Sequence, residues 1–375
     1  MTTQLFVPKF RVDECLAQVK ECLEKGWTGM GFKTVEIEDR WKEYTGLPHA
    51  HFLSSATAGL HLAFEVLKRK HGWQDGDEVI STSLTFVSTN HAIKYAGLTP
   101  VFADVDKYLC LDPEAILDKI TTRTRAVVFV GLGGNTGQLD KVAQICKEKG
   151  IALVLDAAHM AGTRYRGKHI GYNADVTVFS FQAVKNMPTA DSGMICFKEQ
   201  SDDELARKLT WLGINKDTYA RTAAQGAYKW KYDVEDLGFK YHGNSIMAGL
   251  ALVSLKYLDN DNSYRRQISK WYRDELNGVE GIEIVPVAEG CESSTHLLQL
   301  RLERRDGLLV FLNEKGVYPG VHYTDNSEYE MYKDCGQCKN SVKASNEIIS
   351  LPMHVGLSKN EVDKVSCLVK EFLKG

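Results

Sequence analysis

From about residue 50 to residue 200 the chain repeats one pattern: a short apolar run rich in β-formers, then a stretch with helical spacing or composition, then another run. HFLSS, DEVISTS, TPVFADVD, RAVVFVGL, IALVLDA, VTVFSF and SGMICF read as strands. SATAGLHLAFEVLKRK, TNHAIKYAG, DPEAILDKITT and GQLDKVAQICKEKG read as the helices between them, with Asp112 or Leu111 and Pro113 forming a helix start. Strands that alternate with helices cannot pair as hairpins. They build a mostly parallel sheet covered by helices on both faces, an α/β three-layer architecture. In such sheets, ligands bind outside the carboxyl ends of the strands.

Beyond residue 200 the texture changes to longer helical segments. SIMAGLALVSLKYLDNDNSYRRQISKWYRDEL reads as a long connecting helix, with the polar run Asp259 to Asn262 as the place where it would break. IEIVPVA, THLLQLRLE, DGLLVFLNEKG, VYPGVHY and a terminal helix in KNEVDKVSCLVKEFLK then suggest a small α+β lobe. A chain of 375 residues is long for one core. The expected division is a large α/β domain over 1–255, N-terminal segment included, and a small C-terminal α+β domain over 256–375.

A formal charge of −3 offers no basic excess for nucleic acid or an anionic membrane. No stretch reaches the roughly 18 uninterrupted apolar residues of a spanning helix, and the first twenty residues lack a secretory pattern. Small-molecule partners, no nucleic acid, no membrane and a cytoplasmic location are the expectations. Nine cysteines scattered from Cys15 to Cys367 look like free thiols in a reducing compartment. Cys335 and Cys338 form a CxxC with no second half for a metal site. They read as a solvated turn near Gly336, and no metal is expected.

Chemistry concentrates between Asp156 and Lys185. IALVL ends in DAAH, and VTVFSF is followed by QAVK. A carboxylate and an amine just past two strands suit pyridoxal 5'-phosphate, whose aldehyde condenses with a lysine and whose ring withdraws electrons while its nitrogen stays protonated. Thr57, Phe86 and Ser180 fall at strand ends of the same sheet.

These segments, together with WTGMGFKTVEIEDRWKEYTG, SSATAGLHLA, GDEVISTSLTFVSTNHAI, DVEDLGFKYHGNSIMAGLALVSL, GVYPGVHY and LPMHVGLSKNEVDKV, resemble the DegT/DnrJ/EryC1/StrS family of sugar aminotransferases in the family's own order. The resemblance covers nearly the whole length. It implies a fold-type-I pyridoxal-phosphate transferase, aspartate-aminotransferase-like, working as a homodimer with shared active sites.

By that resemblance Lys185 is the Schiff-base lysine and proton carrier, Asp156 pairs with the pyridinium nitrogen, and His159 lies near the cofactor's phenolic oxygen. Thr57 and Ala58 open a helix whose N-terminus favours a phosphate, Ser180 adds a hydroxyl to it, and Phe86 stacks on the ring, with aromatic core packing as the other reading. Lys240 stands where the family brings a polar side chain from the neighbouring subunit to the phosphate; a solvated lysine is the alternative. His322 and Tyr323 match a substrate-closing HY pair or are structural. The implied reaction carries an amino group from an amino acid, L-glutamate, to a keto-sugar that is nucleotide-linked and destined for a polysaccharide, another glycan or a natural product. Two segments depart from the family: GLGGNTGQ after RAVVFV, and NMPTADSGM where TTGEGG is commoner. These leave open a small phosphorylated ketone or a cyclitol as acceptor. A sugar dehydratase and a non-catalytic sensor would each lack a residue that this chain retains.

Overall fold

The computed structural model describes residues 2–214 and 232–375. Its centre is a seven-stranded sheet of β1 (His49–Leu53), β2 (Glu78–Ser81), β3 (Thr99–Phe102), β4 (Thr124–Val130), β5 (Ala152–Asp156), β6 (Val176–Ser180) and β7 (Gly193–Phe197), in the order β1-β7-β6-β5-β4-β2-β3. Pairing is parallel from β6 through to β3. Only β7 runs antiparallel, against both β1 and β6.

The strands are mainly apolar because both of their faces are covered. Successive side chains alternate between two cores. Val127, Phe129, Leu153, Leu155 and Phe179 join Trp41 on one side, and Ala126, Val128, Val154, Val176 and Val178 join Leu60 and Phe64 on the other. The first side is closed by α2 (Phe32–Thr45), α6 (Leu139–Lys149) and the first half of α8 (Ser245–Leu276), with α1 (Val12–Glu24) packed outside on α8. The second side is closed by α3 (Ala56–His71), α4 (Ser88–Tyr95) and α7 (Gln200–Thr210). The short α5 (Pro113–Leu117) starts on Asp112, whose side chain accepts from the Glu114 N–H. A mostly parallel sheet in three layers is therefore present, as the alternation predicts.

The small lobe places β8 (Glu283–Ile284), β9 (Leu298–Arg301) and β10 (Ile348–Leu351) in one antiparallel sheet. It packs on α9 (Arg305–Glu314) and α11 (Lys359–Lys374), and α10 (Lys339–Glu347) leads into β10. Two of its strands are shorter than the apolar runs suggest. Pro286 follows β8, and Pro319 follows the two-residue strand Val317–Tyr318, and neither proline has an N–H to give a ladder.

The expected break in the long helix does not occur. α8 runs unbroken from Ser245 to Leu276, and three of the four polar residues of the supposed interruption have partners from distant segments. Asp259 takes the Tyr44 hydroxyl and the Arg164 guanidinium, Asp261 takes both Nη atoms of Arg11 at 2.7 Å, and Asn262 donates to the Ala161 carbonyl at 2.9 Å. Along α8, Leu258 still belongs to the large core and Ile268 already belongs to the small one. The N-terminal residues lie with the small lobe: Thr3–Gln4 pairs with Val317–Tyr318, and Phe6 stacks on His296 at 5.1 Å.

The CxxC also differs from its expectation. Gly336 takes the turn with φ +108°, but Cys338 is buried against Phe102 and Tyr332 rather than solvated. No helix among the described residues is long and apolar enough to cross a membrane.

Candidate active site

Asp156 is the last residue of β5, level with Val130 of β4 and Val178 of β6. Its carboxylate is buried but held: the Thr89 hydroxyl donates to Oδ2 at 2.7 Å and the Ala158 N–H to Oδ1 at 3.1 Å. Because Thr89 donates forward, it must accept from Thr85 Oγ1 at 3.0 Å, which makes a short hydroxyl chain leading to the acid.

Lys185 sits in the connection from β6 to β7. That connection is stiffened from within by Lys185 N–H to Gln182 O at 2.8 Å, Phe181 N–H to Ser192 O at 2.9 Å, and the Thr189 hydroxyl to Phe181 O at 2.7 Å. The next residue, Asn186, bolts the turn to the rest of the protein. Its Nδ2 donates to Asn262 Oδ1 at 2.8 Å and to the Ser294 carbonyl at 2.7 Å, while its Oδ1 meets His296 Nδ1 at 2.9 Å.

Lys185 and Asp156 face one cavity of about 420 Å³ that Thr57, Phe86, His159, Ser180, His322 and Tyr323 also line. Burial lowers the Lys185 amine to about 8, against the upward pull of Asp156. Burial raises the Asp156 carboxyl, opposed by Thr89, the Ala158 N–H and the charge on Lys185. Burial also keeps His159 neutral by pushing its pKa well down, and lowers His322 to about 4, with Lys185 adding to both. A nucleophilic amine, a hydrogen-bonded acid and two neutral imidazoles thus line one cavity.

The first turn of α3 forms part of the cavity wall. Ser55, Ala56 and Thr57 line it, and the first N–H groups of a helix have no partner within the helix. Gly193 lets β7 approach this turn closely, since a Cβ there would stand 2.7 Å from the Ala56 nitrogen. Ser180 and Ser88 add hydroxyls to the same wall. Phe86 is 56% exposed and its ring is tilted against Tyr323 at 5.7 Å, so one face stays open to a flat ligand. An anion end, a flat wall, a lysine and a buried acid are together the fittings that pyridoxal phosphate requires.

Two expected residues lie apart from this group. Ala58 is buried outside the cavity wall, and its N–H goes to the capping Ser55 Oγ at 3.1 Å. Lys240 is outside the cavity of its own chain, with its Nζ 3.3 Å from the centre of the Trp211 ring. Several residues of the site go unnoticed in the sequence. Asn186 is flagged only by its place beside Lys185. Thr89 and His296 are concealed in helical and strand-like runs that carry no motif. A larger cleft of about 980 Å³, lined by Tyr108, Lys141, Tyr165 and Arg166, contains neither Asp156 nor Lys185.

Comparison with known proteins agrees with this geometry. The chain is similar over its whole length to the aminotransferase TlmJ from Streptoalloteichus hindustanus, at 32% identity, covering 100% of this chain and 99% of that one with a TM-score of 0.91. It is similar to the putative sugar aminotransferase Spr1654 from Streptococcus pneumoniae in its PMP form, at 30% identity, 98% of each chain and a TM-score of 0.90; that protein is also solved in a PLP form. Helicobacter pylori PseC, at 23% identity and a TM-score of 0.92 over 100% of both chains, shares the fold. A sequence model of the DegT/DnrJ/EryC1/StrS aminotransferase family matches residues 11–370. The chain belongs to that family and is a pyridoxal-phosphate-dependent aminotransferase.

Proposed function

We propose that this enzyme transfers an amino group from L-glutamate to the keto group of a nucleotide-linked sugar, in the assembly of a glycan or a natural product. The observation that carries the reading is the meeting of Lys185 and Asp156 in one cavity that the helix N-terminus at Thr57 also lines. Pyridoxal phosphate supplies the electron sink when bound. Lys185 would hold it and would carry the proton at the reacting carbon, a task suited by an amine lowered to about 8. Asp156 keeps the pyridine nitrogen protonated. His159 would lie near the phenolic oxygen, Phe86 would cover the ring, Thr57 and Ser180 would take the phosphate, and His322 and Tyr323 would meet the substrate.

Lys240, which does not line its own cavity, would reach the partner's phosphate in a homodimer. Nine unpaired cysteines support a cytoplasmic setting. A small phosphorylated ketone or cyclitol is the second reading for the acceptor, favoured by the altered loops at 131–135 and 190–193.

The purified protein should be yellow and should bleach with glutamate, and Lys185→Ala should lose the lysine-linked absorbance. A preparation that stays colourless after cofactor is supplied would sink the reading. Assay of the amine form against nucleotide-linked keto-sugars and small keto-phosphates decides the acceptor; turnover of the phosphates alone would overturn the sugar.

A further inference from the structure

Gly133 lies in the departing GLGGN segment with φ +66°, a conformation that glycine adopts freely. Its N–H points at His159 Nδ1 at 3.1 Å. A backbone N–H can only donate. Nδ1 therefore carries the lone pair, and the neutral ring carries its proton on Nε2. Nε2 lies 3.1 Å from the Tyr323 hydroxyl oxygen, so His159 donates and Tyr323 accepts.

A hydroxyl that accepts from His159 keeps its own proton for something else. Among the described residues no second polar group is bonded to Tyr323, whose side chain stands in the cavity wall with Lys185 and Phe86. Burial and the charge on Asp156 push the Tyr323 phenol up, so it offers a hydrogen bond and keeps its proton.

We propose that Tyr323 is the hydrogen-bond donor to the carbonyl oxygen of the keto substrate, its direction imposed by Gly133 through His159. The choice of that oxygen rests on the aminotransferase reading of the acceptor above; the direction of the relay does not. Tyr323 touches substrate, and His159 and Gly133 are positioning residues. An ammonium group has no lone pair to offer a donor, so this polarity favours the keto substrate over its aminated product.

Neutron diffraction of the deuterium-exchanged holoenzyme tests the relay directly. The expected result is a deuteron on His159 Nε2, none on Nδ1, and the Tyr323 deuteron turned away from His159. A deuteron on Nδ1, or one from Tyr323 lying on the bond to His159, overturns the proposal. The second arm uses Tyr323→Phe in its amine form, reacted in a single turnover with a nucleotide-linked keto-sugar that the wild type accepts. The rate should fall about 10- to 100-fold, with unchanged cofactor absorbance and unchanged affinity for the amino-sugar product. A rate within twofold of wild type overturns the proposal. If no keto-sugar reacts with the wild type, the acceptor assignment has failed, and the neutron result alone decides the relay.

Discussion

Thr89→Val removes one hydroxyl and keeps the shape of the side chain, so it isolates the hydrogen bond that holds the buried Asp156. That bond is 2.7 Å long and ends on a carboxylate, and Thr89 is itself fully buried. A hydrogen bond to a charged group is worth about 1.5–3 kcal/mol, and a pKa unit is about 1.4 kcal/mol. Losing the donor should therefore raise the Asp156 carboxyl by about 1–2 units, adding to the upward push of burial. The sign follows from which form is favoured. Thr89 stabilises the ionised acid, so without it the acid takes up a proton at a higher pH. The measurement is the single-turnover rate of the holoenzyme with glutamate across pH. Its acid limb should move up by about 1–2 units while the high-pH plateau changes little. Thr89→Ser, which keeps the donor, should restore the wild-type limb. An acid limb that does not move in Thr89→Val would refute the view that this hydroxyl keeps Asp156 ionised.

Asn186→Leu should cost the cofactor-free protein about 3 kcal/mol or more in urea unfolding, because Asn262, Ser294 and His296 each lose a buried partner; a loss below about 1 kcal/mol would show that the ladder is dispensable. His322 is lowered to about 4 and both His159 and His296 lie well below the usual range. The unfolded chain binds these protons first, so stability should fall as pH drops from about 6.5 towards 4, by about 1.4 kcal/mol per unit for each ring. A denaturation midpoint that stays flat over that window would contradict the burial of these rings. Lys185 acts at the other end: lowered to about 8, it should make the cofactor-free protein more stable as pH rises from 8 towards 10.5, an effect absent in Lys185→Met.

The sheet was legible because its signal is local. An apolar run of five or so residues, repeated between helical stretches, declares a strand covered on both faces without reference to anything distant. Asp156, Lys185, Thr57 and Ser180 were legible for a related reason, since each follows such a run and strand ends share an edge. What escaped is the set of contacts between segments far apart in the chain. Asp259 to Asn262 looks like an interruption when read alone, and becomes good helix only once Tyr44, Arg11 and Ala161 supply partners. Thr89, in a helical run, and His296, in an apolar one, belong to the site through neighbours 67 and 110 residues away. Ala58 was expected to offer its N–H to an anion, but the adjacent Ser55 caps it first.

The uninterrupted α8 has a mechanical consequence. A helix without a kink transmits rotation along its length instead of absorbing it, and α8 begins in the core of one lobe and ends in the core of the other. Asn262, near the changeover, grips Asn186 beside the reactive lysine. Any turning of the small lobe about its neighbour is thus felt at Lys185 through two amide side chains. These two side chains tie the segment that carries Lys185 to the helix that joins the two cores.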